Sequence, residues 1–159
     1  MIKRISTINA LDGSNLLIWF EGGEARLFNC KKTLDTASRS GREGGAPTAN
    51  EARITADGYA VSWGDSLDLT SKELYDGGVA VDVSQTEQER LVAEVANARR
   101  QRGVSQLQLE GMSGVRQPVI ARMETGASSP RLDTLIKVLA PLGKTLRVVD
   151  LDAALDSAC

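Results

Sequence analysis

Hydrophobic positions along this chain follow two different periods. Up to about residue 69 they alternate or form short β-branched runs, whereas from residue 86 onward they recur every third or fourth position. The first regime predicts strands at residues 3–10, 15–20 and 26–30, separated by the hairpin dipeptides Asp12-Gly13 and Gly22-Gly23, and hence a three-stranded meander. Residues 36–50 carry Ser40-Gly41, Glu43-Gly44-Gly45 and Pro47 with almost no apolar side chain, so a mobile loop outside the core is expected there. A second hairpin is predicted over residues 53–69, turning at Asp57-Gly58, with Ile54, Tyr59, Val61 and Trp63 as strand residues. Trp19 and Trp63 are read as core aromatics.

Capping signals then take over. Thr70 with Glu73 forms a capping box for a short helix that buries Leu74 and Tyr75 and stops at Gly77-Gly78. Residues 79–83 read as a link, and Thr86 with Glu89 as a second capping box whose helix runs to Arg102 before Gly103, with Leu91, Val95 and Ala98 on one face. Ser105 with Gln108 caps the next helix, which buries Leu109 and breaks at Ser113-Gly114. A third short helix spans Val115 to Glu124: Pro118 lies in its first turn, where a missing amide is harmless, Val115, Ile120 and Met123 point inward, and Gly126 ends it. Ser129-Pro130 opens a fourth helix with Leu132, Leu135, Ile136 and Leu139 inward, ending near Pro141 and Gly143, and Thr145 to Val149 is expected to be a strand. The fold class is α+β, with a β-rich domain at residues 1–80, a helical domain at 84–149 and an acidic tail at 150–159.

Composition narrows the function. The 159 residues are 42% hydrophobic and 25% charged, which suits a globular chain. The longest apolar run, Leu16 to Phe20, is far short of a membrane span, and the first residues lack a signal peptide's apolar stretch, so a cytoplasmic location is expected. With no histidine, the commonest metal ligand and general base are missing. Neither a cofactor, a metal nor a catalytic residue is predicted. Cys30 and Cys159 are too few for a disulfide framework, and Cys30 reads as a reduced core residue. Charge is unevenly spread: residues 1–83 hold 9 Lys and Arg against 12 Asp and Glu, residues 84–149 hold 10 against 6, and residues 150–159 hold none against 3. A basic middle between acidic flanks fits a polyanionic partner.

The third helix suggests which polyanion. Two short helices joined by a tight glycine turn can carry one helix proud of a domain, at a diameter that fits a DNA major groove. Its outward residues are Arg116, Gln117, Val119, Ala121 and Arg122, and arginine and glutamine are the side chains that pair bidentately with guanine and adenine edges.

Residues 91–143 resemble the Xre/Cro-type helix-turn-helix regulators typified by lambdoid phage repressors. The likeness rests on Ala98-Arg-Arg-Gln-Arg-Gly-Val-Ser-Gln106, Ser113-Gly-Val-Arg-Gln-Pro118, Ile120-Ala-Arg-Met-Glu-Thr-Gly126 and Ser129-Pro-Arg-Leu-Asp-Thr-Leu135. It implies an all-α, lambda-repressor-like domain that binds double-stranded DNA. On that resemblance Arg116, Gln117, Pro118 and Arg122 would read bases, while Gln106, Thr125, Ser128 and Arg131 would contact phosphates. Gln106 would also brace Gln117, and Arg99 and Glu124 would form a structural ion pair. Two positions depart from the family pattern. Glu110, followed by Gly111, stands where a small alanine is usual, and Pro118 replaces a polar residue, although its ring can still touch a thymine methyl.

In the first half, Val61-Ser-Trp-Gly-Asp-Ser-Leu-Asp-Leu69 followed by Glu73-Leu-Tyr75 resembles a small β-rich bacterial domain family of unknown function, number twenty-four forty-two among such domains. That resemblance implies no activity. Asp65 and Asp68 form the only carboxylate pair worth weighing for catalysis, and a turn residue and a strand-end residue explain them fully. The sequence-based expectation is a sequence-specific transcriptional regulator, acting as a homodimer because one short helix reads few base pairs. The alternative is an interaction module or antitoxin whose N-terminal domain holds a partner protein.

Overall fold

Asn15-Leu-Leu-Ile-Trp-Phe20 is the least polar run in the chain, and it becomes the inner strand of a sheet. In the computed structural model, which describes residues 2–11, 14–39, 47–65 and 67–151, strands β1 (Ile5–Leu11), β2 (Asn15–Phe20) and β3 (Ala25–Asn29) form an antiparallel meander. Leu16, Leu17 and Ile18 are all buried, because β2 has a neighbour on each side and cover on both faces. The Asp12-Gly13 turn lies outside the described residues. A fourth strand, β7 (Val79–Val81), pairs with β3, so residues 79–83 are not the link expected from sequence. Three residues give too little pattern to reveal a strand whose partner lies about fifty residues earlier.

A second sheet contains β4 (Arg53–Ile54), β5 (Ala60–Ser62) and β6 (Asp68–Thr70) in that order. Tyr59 lies before β5 and is exposed, while Trp63 follows β5 and is buried. Trp19 is only half-buried in β2, so just one of the two tryptophans belongs to the core. That core joins Ile5, Leu16, Ile18, Phe20, Cys30, Val61, Trp63 and Leu74. Burial raises the Cys30 thiol to about 12, which keeps it protonated and unreactive at neutral pH. Cys159 lies outside the described residues.

The expected loop over residues 36–50 is corrected at both ends. Helix α1 (Lys31–Arg39) begins where the Asn29 side-chain oxygen accepts the Lys31 amide at 3.0 Å, and Leu34 anchors it to the core. One apolar residue suffices, since the helix needs a single point of attachment beside a strand end. Pro47 and Ala49 are buried as well, Ala49 in a 3-10 turn over Ala49–Glu51. The glycine-rich stretch between them lies outside the described residues. Helix α2 (Ser71–Gly77) carries the Thr70–Glu73 capping box in both directions.

The chain divides into two compact units, residues 2–82 with 149–151 and residues 83–148. In the second, α3 (Val83–Gln101) is already helical before Thr86, so Thr86 and Glu89 sit inside the helix and do not mark its start. The capping-box pattern is local and also occurs within helices, where the backbone amides already have partners. Next come α4 (Gln106–Ser113), α5 (Gln117–Glu124) and α6 (Leu132–Leu139), then a 3-10 turn over Ala140–Leu142. Val95, Leu109, Ile120, Met123, Val138 and Leu142 are almost completely buried together. Leu132 and Ile136 are exposed; the inward stripe of α6 is Leu135, Val138, Leu139 and then Leu142. Two stripes share the helical period here, and only contact with α3 and α4 selects between them. Residues 145–149 form no strand, since the helical unit offers no strand to pair with, and Val148 is fully exposed. Among the described residues no helix is long and apolar enough to cross a membrane. The acidic tail lies outside the described residues from residue 152 on.

Candidate nucleic-acid interface

Local chemistry starts α4 and stops it. The Ser105 hydroxyl accepts the Gln108 amide at 3.1 Å and the Gln108 side chain accepts the Ser105 amide at 2.8 Å. Replacing Ser105 with alanine is expected to cost about 1 kcal/mol, read as a lower melting temperature of the helical unit, and an unchanged melt would contradict the cap's role. At the other end Gly114 adopts φ 72°, a left-handed conformation that side-chain-bearing residues resist, and turns the chain within three residues into α5.

Helix α5 starts later than the sequence suggested, at Gln117 instead of Val115; Val115 and Arg116 belong to the turn. Ile120 and Met123 are buried, and Val115 plugs the core from the turn. Arg116, Pro118, Val119 and Arg122 are exposed, whereas Gln117 is half-buried. The first-turn amides are all accounted for. Pro118 has none, the Val119 and Ile120 amides donate to the Arg116 carbonyl, and the Gln117 amide donates to the Glu110 carboxylate at 2.7 Å. Glu110, a departure from the family pattern, thus supplies the cap that Arg116 does not. Sequence reasoning missed this role. The only signal was that Gln106 and Glu110 are four residues apart, on one face of α4.

Beneath α5 a polar chain borders an otherwise apolar core. Arg99 donates from Nε to Glu124 Oε1 at 2.7 Å and from Nη2 to Oε2 at 2.8 Å, and its Nη1 donates to the Val104 carbonyl at 2.8 Å. The two side chains are only 12% and 4% exposed. The Arg99 hydrogen bonds are the main influence holding the Glu124 carboxyl below its ordinary range, against the opposing effect of burial. Gln106 Nε2 also donates to Glu124 Oε2, at 2.8 Å, and Gln117 Nε2 donates to Gln106 Oε1 at 2.8 Å.

The remaining predicted contact residues lie after α5. Thr125 is exposed and donates its hydroxyl back to the Ala121 and Arg122 carbonyls at 3.0 and 3.2 Å. Ser128 is half-buried. Arg131 precedes α6 with its side chain 87% exposed, loosely paired with Asp133 at 3.4 Å. Asp65 and Asp68, the carboxylates weighed for catalysis, are both exposed.

Two helices at a tight glycine turn, braced by α3 and α6, define a helix-turn-helix domain of the lambda-repressor-like kind. Residues 95–149 match the family model described as helix-turn-helix. A Haemophilus influenzae protein named as an uncharacterized HTH-type transcriptional regulator is 57% identical over 61 residues, which are 38% of this chain and 62% of that protein. The chain therefore spans a little under two thirds of that relative's length. A solved structure titled as a toxin-antitoxin module from Streptococcus pneumoniae is 56% identical, covering 43% of this chain and 76% of its own, with a TM-score of 0.38. A Nitrosomonas europaea protein of solved structure is 12% identical, covering 86% of this chain and 84% of its own, with a TM-score of 0.39. Both superpositions are loose at those scores. The N-terminal unit acquires no family name from these relatives.

Proposed function

We propose that the chain is a sequence-specific DNA-binding transcriptional regulator that lays α5 in the major groove of double-stranded DNA. One observation carries this reading: α5 buries Ile120 and Met123 while its Pro118 and Arg122 are exposed, as is Arg116 in the turn before it, and half-buried Gln117 is held by Gln106. Arg116 and Arg122 suit guanine edges and Gln117 suits adenine. Gln106 keeps a second Nε2 hydrogen for a phosphate, and Thr125, Ser128 and Arg131 border the same end of α5, where the sugar-phosphate strand would run. A homodimer on two half-sites would extend the few base pairs that one α5 reads.

Selection of bound fragments from random duplex DNA at stated salt tests the reading. The wild-type chain should enrich a two-half-site sequence, and Gln117→Ala should lose preference at one position per half-site, worth about 1–3 kcal/mol. Arg131→Ala should instead weaken all sequences alike and reduce the salt slope by about one. Failure to enrich any sequence, or an unaltered motif with Gln117→Ala, would refute the proposal.

A partner protein on the N-terminal unit is a second reading, favoured by the seven-residue strand β1 at a sheet edge. It predicts a partner that co-purifies with the chain even when Gln117 and Arg122 are alanine.

A further inference from the structure

We infer that Glu124 is a positioning residue for base reading: acting through Gln106, its carboxylate decides which end of the Gln117 amide faces the duplex. The inference rests on the proposed role of Gln117 in base contact. It follows from the donor and acceptor capacities along the chain Arg99, Glu124, Gln106, Gln117.

Arg99 can only donate, and ionised Glu124 can only accept. Two parallel hydrogen bonds lock this end, and the pair is almost fully buried. Gln106 approaches Glu124 Oε2 to 2.8 Å, so it must present its NH2 group there; its oxygen would meet a carboxylate lone pair. The Gln106 oxygen is then the atom left toward Gln117. At 2.8 Å, Gln117 must in turn present its own NH2 group, leaving Oε1 and one N–H for anything outside. A solitary glutamine can offer its amide in two orientations related by a half-turn, but here one of them would set oxygen against oxygen. The Gln117 backbone is also restrained, because its amide donates to Glu110 Oε2 at 2.7 Å. Gln106 and Glu110 therefore grip the side chain and the main chain of Gln117 from one face of α4.

The outward pattern is an acceptor and a donor in fixed order. That is what the major-groove edge of adenine requires, offering an N6 donor and an N7 acceptor. On this account a buried ion pair that never touches DNA contributes to which base is read.

Two measurements on the full chain test the inference. In isotopically labelled protein without DNA, through-hydrogen-bond couplings should connect the Gln106 side-chain nitrogen to the Glu124 carboxyl carbon and the Gln117 side-chain nitrogen to the Gln106 carbonyl carbon. Missing couplings in a folded wild-type chain overturn the inference whatever the DNA result. In the second measurement, each adenine of the selected duplex is replaced in turn by 7-deazaadenine, which lacks the N7 acceptor. Wild type should discriminate roughly tenfold at one position, and Glu124→Gln should lose most of that ratio while still melting cooperatively. Gln106→Leu leaves the ion pair in place and should lose the same ratio; it decides the matter should Glu124→Gln fail to fold. Full discrimination retained by folded variants overturns the inference. Couplings present in a wild-type chain indifferent to every 7-deazaadenine would instead overturn base reading by Gln117.

Discussion

Glu124→Ala is expected to destabilise the helical unit by about 3–5 kcal/mol, the range for breaking a buried ion pair from one side. The arginine left behind is the reason. Arg99 is 12% exposed and would keep one carbonyl partner, Val104, for a guanidinium that now donates three hydrogen bonds. Gln106 would lose its acceptor at the same time. Replacing both charges with apolar residues should cost much less than removing one, because no charge then stays stranded. Denaturant melts of the single and double variants test this, and a Glu124→Ala loss below about 1 kcal/mol, the ordinary value of an exposed pair, would contradict the assignment.

The same pair sets an acid limit. The carboxyl of Glu124 is depressed in the folded protein, so the unfolded chain binds its proton more readily than the native one. Its stabilising contribution is fully present above the ordinary glutamate range, about 4.3, and is lost as pH falls through the lowered folded value. The helical unit should therefore lose stability on acidification below that range, and Glu124→Gln should flatten this part of the pH profile.

Trp63→Ala should cost the N-terminal unit about 3–5 kcal/mol. Its ring is 1% exposed among Phe20, Val61 and Leu74, and its indole N–H donates to the Thr48 carbonyl at 3.1 Å. Truncation leaves a cavity and removes one of that carbonyl's two donors, the other being the Glu51 amide. Trp63→Phe keeps most of the packing and should lose about 0.5–1.5 kcal/mol, the net worth of one hydrogen bond, because the Thr48 carbonyl still accepts the Glu51 amide at 3.0 Å. Amide hydrogen exchange separates the two units, so protection should fall at β2 and β5 while α4 and α5 keep theirs. Equal losses in both units would mean that the effect is not local to this core.

Much of the helical unit was legible in the sequence because its signals are short-range. The Ser105–Gln108 box, the turn at Gly114 and the inward positions Leu109, Ile120 and Met123 all follow from residues within about one turn of each other. The same holds for Thr70–Glu73 and for the meander. Errors arose where a local pattern had two readings or gave almost none. Leu132 and Ile136 share the period of the buried stripe, yet they face outward. Thr86 and Glu89 copy a capping box inside an established helix. Helix α1 rests on one apolar anchor, Leu34, and β7 is too short to announce itself.

By itself the sequence determined the first meander, the run of short helices after residue 104, a basic helical half after a strand-rich one, and a helix with arginine and glutamine on its outer side. These depend on backbone preferences and hydrophobic spacing, which act between near neighbours. Tertiary structure alone decided that Glu110 caps α5 and that Gln106 also donates to Glu124, which joins two contacts the family resemblance had implied separately, Arg99 with Glu124 and Gln106 with Gln117, into one chain. Each of these needs polar atoms carried on two helices brought to within 3 Å, and the direction of every hydrogen bond in the chain is inherited from the one before it, starting at a buried charge.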